Sequence, residues 1–287
     1  MRRAIIDIGT NTVKLLVADV KNGQVTPVVS KDQMTRLGQG VQQSMHLSRA
    51  AMARTVEAIR HFVADAKDLG VSDVFALTTS ATRDADNGSE FLDAVRSACG
   101  LDAQVITGER EAELIFRGVC SDPMWSQQRI LVMDVGGGSV EFILGASGKI
   151  ERLLSLPLGA VRLTEQFRDA DFTELAAFLR TQFDKALSDF RVNGWKMIGT
   201  GGTGVTLAKM GHGKGDNITI SQQEMRVVVT SLNAMSLLER KQVPGLPPDR
   251  ADIIVAGAAA YLFAMEALHA AELTTSVRNL RYGALLE

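Results

Sequence analysis

The chain has 287 residues, of which 46% are hydrophobic and 22% are charged, so it can form a packed core and is not intrinsically disordered. This length favours two domains over one. A formal net charge of −2 excludes a globally basic nucleic-acid-binding protein but leaves room for a local positive cleft. The two cysteines, Cys99 and Cys120, form no metal-binding pattern and are typical of reduced thiols in a cytosolic protein.

The apolar segments indicate neither a signal peptide nor a membrane anchor. Met1-Arg2-Arg3 leads into a short apolar stretch that is interrupted by Asp7, which makes a poor signal peptide. The longest apolar run, 253–265, is shorter than the ~20 residues needed to span a bilayer. We therefore expect a soluble, cytoplasmic protein that binds neither a membrane nor nucleic acid.

The first part of the chain predicts strands where β-branched and apolar residues cluster, and helices where apolar residues recur at helical spacing. Asn22-Gly23 is a typical hairpin turn, Ser48 a typical helix N-cap and Gly70 a typical helix end. The predicted strands are 4–9, 13–20, 24–30, 74–78 and 105–106, and the predicted helices are 48–69, 89–98 and 109–119.

The pattern breaks at Ser121-Asp122-Pro123, where we place a domain boundary. We expect one domain over 1–121, to which 278–287 return, and a second over 122–277. Gly211–Asp216 predicts a mobile loop. The strands predicted in this second part are 130–134, 140–145, 150–156 and 196–199, and the helices are 173–191, 221–239 and 251–268.

One short pattern occurs twice. Asp7-x-Gly9-x-x-Thr12 and Asp134-x-Gly136-x-x-Ser139 have the same internal spacing, and each copy lies between two apolar strands. Two copies of strand, acid, glycine, hydroxyl and strand predict two α/β domains of one duplicated fold.

The repeated loops are candidate phosphate sites, because consecutive small residues present several backbone N–H groups in one direction. The acids before them, Asp7 and Asp134, lie at strand ends, where a carboxylate can hold Mg²⁺ directly or through water. The alternative is a pair of tight hairpins whose aspartates cap backbone N–H groups; the matched spacing favours the phosphate interpretation. The candidate phosphate-binding residues are Thr10, Asn11, Thr12, Gly136, Gly137, Gly138 and Ser139.

Two further features bear on phosphate binding. A third glycine-rich segment, 199–204, follows a strand and opens a helix, which adds Gly201 and Gly202 as candidates, although such turns also occur without a ligand. Lys14 in the first copy of the repeat takes the place of Glu141 in the second. A cation there would meet phosphate and an acid would meet metal or water; alternatively, both are outward polar positions on alternating strands.

Six ordered motifs resemble one known family over nearly the whole chain. They are IDIGTNTVKLLV, RLGQGV, TTSATRDADNG, ITGEREAELIFRGV, VMDVGGGSVEFI and GTGGT. Together they closely resemble the exopolyphosphatase/guanosine pentaphosphate phosphatase (Ppx/GppA) family of the actin–Hsp70–sugar kinase superfamily. The resemblance implies two duplicated actin-like (ribonuclease H-like) domains around a central cleft. Longer members carry a C-terminal helical region of the HD type; this chain ends at Glu287 and resembles the short, two-domain form.

The resemblance also implies roles for individual residues. Glu111 matches the family's catalytic glutamate, which activates a water molecule, and Arg83 matches an arginine that contacts substrate phosphate. Glu141 matches a second essential acid, which would hold Mg²⁺, or alternatively Mn²⁺, together with Asp134. By itself, Glu111 would be interpreted as a first-turn acid that favours the helix dipole. Two-domain relatives often pair, so a homodimer is expected by resemblance.

The sequence departs from the family pattern at two places. Arg110 stands where the family usually has an acid just before the catalytic glutamate. The family's C-terminal motif resembles Ser-Asp-Gly-x-Leu-Arg-x-Gly, whereas this chain has Val277 and Arg278 in place of the acid and the glycine. Arg110 could add positive potential for a polyanion or change nothing, and Arg278 could contact phosphate or lie on the surface.

The expected reaction is Mg²⁺-dependent hydrolysis of the terminal phosphoanhydride of inorganic polyphosphate, which releases orthophosphate. Guanosine pentaphosphate is the alternative substrate, because the phosphate loops do not distinguish the two. Two alternatives belong to other classes of protein. One is an ATP-dependent kinase of a small molecule, and the other is a non-catalytic alarmone-binding sensor. The Glu111 motif favours water as the acceptor, and the presence of both Glu111 and Glu141 argues against a sensor.

Overall fold

A computed structural model describes residues 1–71, 73–168, 171–212 and 216–287. The chain divides into two compact units: Met1–Asp122 with Arg278–Glu287, and Pro123–Val277. The strands are β1 (Arg2–Ile8), β2 (Thr12–Lys21), β3 (Gln24–Met34), β4 (Val74–Thr78), β5 (Gln104–Val105), β6 (Arg129–Val135), β7 (Val140–Ala146), β8 (Lys149–Leu156), β9 (Lys196–Thr200), β10 (Thr219–Ser221) and β11 (Glu272–Thr275).

The helices connect and cover these strands, and two short 3₁₀ turns occur at Ser188–Phe190 and Pro248–Arg250. The helices are α1 (Val41–Ser44), α2 (Arg49–Asp68), α3 (Ser80–Asp84), α4 (Gly88–Cys99), α5 (Gly108–Cys120), α6 (Ala160–Gln166), α7 (Phe172–Ala186), α8 (Gly201–His212), α9 (Gln222–Ala234), α10 (Leu237–Arg240), α11 (Ile254–Ala267) and α12 (Leu280–Leu285).

Each unit is built on one mixed sheet. The first has the strand order β3-β2-β1-β4-β5, and the second has β10-β11-β9-β6-β7-β8. In both, three antiparallel strands from consecutive hairpins are extended by two parallel strands, and in the second sheet β10 then adds antiparallel to β11. The order β8-β7-β6-β9-β11 therefore repeats β3-β2-β1-β4-β5, which is the duplication that the repeated motif predicts.

The sequence features at the ends of several elements have the expected geometry. Asn22 and Gly23 have φ angles of 51° and 75°, so both residues of the β2–β3 turn are left-handed, as a two-residue hairpin requires. The side chain of Ser48 accepts the Ala51 N–H and begins α2, and Gly70, with φ 76°, follows its end. Short local signals thus set the boundaries of these elements.

Three predicted helices differ from the structure by more than one residue at an end. The helix predicted over 251–268 begins only at Ile254. The helix predicted over 173–191 ends at Ala186, and the 3₁₀ turn follows. The helix predicted over 221–239 is interrupted at Met235, because Ser236 forms a second capping box with Glu239 and starts α10. In the loop predicted over 211–216, residues 213–215 lie outside the described residues, and 211–212 belong to the end of α8.

The core of the second unit surrounds α11. Twelve of its fourteen residues are buried, so its hydrophobic run is explained by packing inside the domain. In the described part of the chain, no helix combines the length and hydropathy that crossing a bilayer requires. Neither Cys99 nor Cys120 forms a disulfide bond.

Candidate active site

The two copies of the repeated motif form equivalent hairpin ends. The Gly9 N–H donates to the Thr12 carbonyl at 3.1 Å, and the Gly136 N–H donates to the Ser139 carbonyl at 3.0 Å. In the strand register Asp7 lies opposite Lys14, and Asp134 lies opposite Glu141. The lysine and the glutamate that distinguish the two copies therefore occupy the same place in each hairpin, next to the acid that ends the first strand.

The loop of the first unit carries an unsatisfied polar group. Thr10 Oγ1 is hydrogen-bonded to Ser80 Oγ at 2.7 Å, and both side chains are buried. The Asn11 carbonyl accepts the N–H groups of Thr35 and Arg36 at 3.0 and 2.9 Å. The Asn11 Nδ2 is buried, and no described group accepts its hydrogen bond. A buried N–H donor without an acceptor is unfavourable, so a ligand acceptor such as a phosphate oxygen would stabilise this loop.

A network of charges lies behind this loop. Lys14 Nζ is 3.8 Å from Asp7 Oδ2, so Asp7 is held by a cation in this hairpin. The buried Arg281 donates from Nη1 to the Leu15 carbonyl at 3.1 Å and to Ser30 Oγ at 3.2 Å. Burial lowers the pKa of Arg281, and attraction to Asp7 partly opposes that change. Arg281 therefore acts as a positioning residue for β2 and β3.

Arg83 and Glu111 are brought together by the parallel strands β4 and β5. Arg83 Nη1 donates to the Ile106 carbonyl at 2.8 Å and lies 3.8 Å from Glu111 Oε2. The side chain of Thr107 accepts the Arg110 N–H and begins α5, which fixes Glu111 in the first helical turn. The Glu111 side chain is 13% exposed, so its carboxylate is shielded but accessible. A carboxylate and a cation in this arrangement can orient water and bind phosphate.

In the second unit, the glycine loop is backed by α6. The N–H groups of Ala160 and Val161 donate to the Gly136 and Gly137 carbonyls, each at 2.9 Å, and the Gly159 N–H donates to the Gly138 carbonyl at 3.2 Å. In a trans peptide the N–H and C=O groups point in opposite directions, and no peptide bond here is cis. The N–H groups of Gly137, Gly138 and Ser139 therefore point away from α6, as an anion-binding loop requires.

Asp134 and Glu141 form a buried pair of acids on neighbouring strands. Asp134 is 8% exposed and Glu141 is 1% exposed. Ser155 Oγ on β8 donates to Glu141 Oε1 at 2.8 Å and orients that carboxylate. Two buried carboxylates repel each other unless a cation or a proton lies near them. Carboxylate oxygens are ligands that Mg²⁺ prefers, so this pair fits a divalent cation.

Asp134 and Glu141 would give a metal ion only a few protein ligands. No cluster of three or more His, Cys, Asp or Glu residues suited to a metal occurs among the described residues. Mg²⁺ commonly binds through one or two carboxylates and keeps water and substrate phosphate as its other ligands. The donor set of Asp134 and Glu141 therefore matches a metal that is bound together with a phosphate substrate.

The third glycine-rich segment approaches Asp134 directly. Gly201 has φ +81°, and a Cβ there would overlap Asp134 Oδ1, so only glycine fits. Gly201 and Gly202 begin α8, and a Cβ on Gly202 would meet the Arg250 guanidinium at 2.5 Å. The start of α8 thus lies close to Asp134, and the next residue of the helix lies against Arg250.

Tyr261 is a positioning residue that the sequence analysis missed. Its hydroxyl is fully buried on α11, and its one proton is shared between the Thr200 carbonyl at 2.5 Å and the Met133 carbonyl at 3.2 Å. These bonds join the ends of β6 and β9, where Asp134 and the glycine segment begin. Burial and the nearby Asp134 charge raise the pKa of Tyr261 well above its usual value, so it remains a donor. The only signal in the sequence is a tyrosine within a run of small apolar residues.

The two arginines that depart from the family pattern have structural partners. Arg110 forms ion pairs with Glu113 at 2.8 Å and with Glu287. Arg278 Nη1 donates to the Ser121 carbonyl at 2.9 Å and to Ser121 Oγ at 2.8 Å. Both arginines therefore attach the C-terminal segment to α5 and its end within the first unit.

Comparisons with known proteins agree with this architecture. The profile of the Ppx/GppA phosphatase family matches residues 16–287. Exopolyphosphatase 1 of Mycobacterium tuberculosis is 32% identical over 301 residues, which cover 100% of this chain and 88% of that protein. A guanosine-5'-triphosphate,3'-diphosphate pyrophosphatase of Aeromonas salmonicida is 28% identical over 287 residues, which cover 98% of this chain and 58% of that protein.

Solved structures are similar over the full length. An exopolyphosphatase from Cytophaga hutchinsonii has a TM-score of 0.90 at 29% identity, with 99% of this chain and 96% of that chain covered. The Ppx/GppA family member from Aquifex aeolicus has a TM-score of 0.83 at 28% identity, with 100% and 96% covered.

The fold and the family profile together define an actin-like α/β phosphatase. The chain belongs to the Ppx/GppA phosphatase family. It is accordingly an enzyme that hydrolyses phosphoanhydride bonds, which confirms the family and the enzyme class that the six motifs imply.

Proposed function

We propose that this protein is an exopolyphosphatase that uses Mg²⁺ to hydrolyse the terminal phosphoanhydride of inorganic polyphosphate. The observation that carries the proposal is the similarity of the entire chain to proteins named exopolyphosphatase, at 32% identity. A solved exopolyphosphatase also has the same fold at a TM-score of 0.90. The candidate residues of both units are groups that bind phosphate, hold a cation or accept a proton.

In the first unit, Glu111 is the proposed general base. Its carboxylate accepts a proton from water as the water oxygen bonds to the terminal phosphorus. The bridging P–O bond breaks, and the shortened polyphosphate leaves with the electron pair of that bond. Arg83, 3.8 Å from Glu111, binds a phosphate oxygen and places the phosphoryl group next to the activated water.

The loop of the first unit binds the phosphoryl oxygens in this proposal. Asn11 offers its buried Nδ2–H, which lacks an acceptor among the described groups. Thr10 and Thr12 contribute hydroxyls, and Lys14 contributes a positive charge beside Asp7. Phosphoryl transfer depends mainly on such positioning and charge neutralisation.

In the second unit, Asp134 and Glu141 are the proposed ligands of Mg²⁺, with Mn²⁺ as the alternative metal. The bound metal would neutralise charge on the phosphate oxygens. Ser155 orients Glu141, and the N–H groups of Gly137, Gly138 and Ser139 bind phosphate oxygens. Gly201 lets the start of α8 approach Asp134, and Gly202 follows it beside Arg250. Asp7 is assigned a supporting role, because Lys14 already partners it.

Guanosine pentaphosphate is the second candidate substrate. The observation that favours it is the 28% identity to a guanosine-5'-triphosphate,3'-diphosphate pyrophosphatase over 98% of this chain. The reaction would be the same attack of water on a terminal phosphoanhydride, so the assigned residues would keep their roles.

The test is orthophosphate release from short polyphosphate, long polyphosphate, guanosine pentaphosphate and ATP, each with Mg²⁺ and with Mn²⁺. We expect the highest kcat/KM with polyphosphate. A higher kcat/KM with guanosine pentaphosphate would replace the proposed substrate. If no orthophosphate is released and a phosphoryl group is transferred from ATP to an added alcohol, the proposal is wrong and a kinase is correct. Tight alarmone binding without turnover of any substrate would instead indicate a sensor.

A further inference from the structure

The second unit contains a cavity of about 450 Å³ that none of the candidate active-site residues lines. It lies among α6, α7, α9, α10 and the start of α11. Small-molecule sites typically measure about 300–1,000 Å³ and combine apolar walls with a few polar groups. The apolar wall residues are Leu163, Phe167, Phe172, Leu175, Leu237, Val255 and Ala256.

One polar group in this cavity lacks a partner. The Nε of Arg240 is buried, and no described group accepts its hydrogen bond. Burial lowers the pKa of Arg240 and the nearby Asp252 opposes that change, but an arginine side chain remains charged in either case. A buried guanidinium N–H without an acceptor is unfavourable, so a ligand oxygen would stabilise it.

The charges around the cavity restrict the ligand. Arg168 and Arg240 line it together with Asp171 and Asp252, so the formal charges cancel. The Asp171 carboxylate already accepts the Glu174 N–H as the N-cap of α7. The lining therefore has no excess positive charge with which to hold a multiply charged polyphosphate chain. A single carboxylate suits the site, because the guanidinium of Arg240 can bind it with two parallel hydrogen bonds.

We propose that this cavity binds a small amphipathic monocarboxylate, with its carboxylate on Arg240 and its aliphatic or aromatic body against Phe167 and Leu175. The site is separate from the phosphate-binding residues and does not depend on the function proposed above. Its ligand is defined by one negative charge and an apolar body.

The cavity is connected to the glycine loop through α6, which has only seven residues. Leu163, at the middle of α6, lines the cavity. The N–H groups of Ala160 and Val161, at its start, donate to the carbonyls of the glycine loop at 2.9 Å. A ligand that packs against Leu163 therefore also stabilises the start of this short helix. Binding in the cavity thus reduces the motion of the glycine loop.

The test is calorimetric titration of the full chain with octanoate, phenylacetate, octanol, octylammonium and orthophosphate. We expect both carboxylates to bind about ten-fold or more tightly than octanol, because only they can form charge-assisted bonds with Arg240. The ratio of octanoate to phenylacetate affinity distinguishes an aliphatic from an aromatic body. No binding of either acid at millimolar concentration, equal binding of octanol, or tighter binding of octylammonium or orthophosphate would overturn the proposal.

Variants locate the site. Arg240→Gln is expected to weaken octanoate binding by about ten-fold or more, whereas Lys241→Gln, at the neighbouring exposed position, should leave it unchanged. Val255→Phe places a larger side chain in the wall and should weaken both carboxylates. The thermal unfolding midpoint of each variant shows whether it is folded, and Arg168→Gln at the exposed rim gives a second test of charge. Unchanged binding by folded Arg240→Gln would overturn the assignment.

The connection to the glycine loop has its own readout, which does not use phosphatase activity. Saturating octanoate is expected to slow amide hydrogen exchange at Ala160 and Val161. Exchange at α2 of the other unit serves as the control and should be unchanged. If octanoate binds but exchange at Ala160 and Val161 is unaltered, α6 does not transmit occupancy to the loop.

Discussion

Removal of the Tyr261 hydroxyl tests whether α11 holds the ends of β6 and β9 in place. Tyr261→Phe keeps the ring but removes the hydrogen bonds to the Thr200 and Met133 carbonyls. Losing a partner of a buried polar group costs about 1–3 kcal/mol, so the free energy of unfolding should fall by that amount. Because Asp134 follows Met133, we also expect a lower kcat. Urea unfolding and orthophosphate release measure the two effects.

A second substitution makes this prediction specific. A Cβ on Gly204 would lie 2.9 Å from the Tyr261 hydroxyl, whereas its next neighbour, a Gly199 atom, would be 3.3 Å away. In the wild type, Gly204→Ala should therefore be destabilising, because overpacking costs about 1–3 kcal/mol. In the Tyr261→Phe background the contact with the hydroxyl is gone and only the 3.3 Å contact with Gly199 remains, so Gly204→Ala should be less destabilising there than in the wild type.

The two substitutions should consequently show a favourable coupling of about 1–3 kcal/mol in a double-mutant cycle. Strict additivity, or a Tyr261→Phe variant with wild-type stability and kcat, would refute this account of Tyr261. The pH dependence gives an independent check. Because burial raises the pKa of Tyr261, its contribution is complete below the unfolded pKa of about 10 and is lost above it. The free energy of unfolding should therefore decrease less between neutral and alkaline pH in Tyr261→Phe than in the wild type.

Three other substitutions test different parts of the site. Gly201→Ala places a Cβ against Asp134 Oδ1 at a positive φ, so metal-dependent activity and metal affinity should both fall; an active variant with unchanged affinity would contradict the close approach. Asn11→Ala removes a buried donor that lacks a partner, so kcat/KM should decrease by about ten- to a hundred-fold while urea stability is retained; loss of stability with normal kinetics would show a purely structural role. Arg278→Gly introduces the residue typical of the family but removes two hydrogen bonds to Ser121, so the free energy of unfolding should fall by about 1–3 kcal/mol while kcat is unchanged. A variant with wild-type stability and a reduced kcat would contradict this structural role of Arg278.

The hairpins could be predicted because their signals are local. Alternating apolar residues, a two-residue turn at Asn22-Gly23 and an acid followed by glycine mark β1, β2, β6 and β7 directly in the chain. The short helices α3, α6 and α12 have five to seven residues and too few turns to show a helical period. Ser236 lies inside a continuing amphipathic run, so the break between α9 and α10 became apparent only from its capping box.

The candidate site was predictable to the same extent. Residues near the hairpin ends of strands, such as Asp134 on β6 and Glu141 on β7, could be located from the repeat because pairing in a hairpin is set by short-range register. The contacts that position them are long-range: Arg281 reaches the Leu15 carbonyl across 266 positions, and Tyr261 reaches the Met133 carbonyl across 128. Hydropathy and spacing carry no information on such pairs, since they depend on how the sheets and helices pack.

The most direct test of the central proposal is orthophosphate release from polyphosphate by the wild type, Glu111→Gln and Glu113→Gln. Both glutamates lie on α5, but Glu113 is exposed and pairs with Arg110. If Glu111 is the general base, Glu111→Gln should lose about 100-fold or more in kcat while remaining folded, and Glu113→Gln should keep the wild-type rate. Wild-type turnover by Glu111→Gln would contradict the proposed role of Glu111.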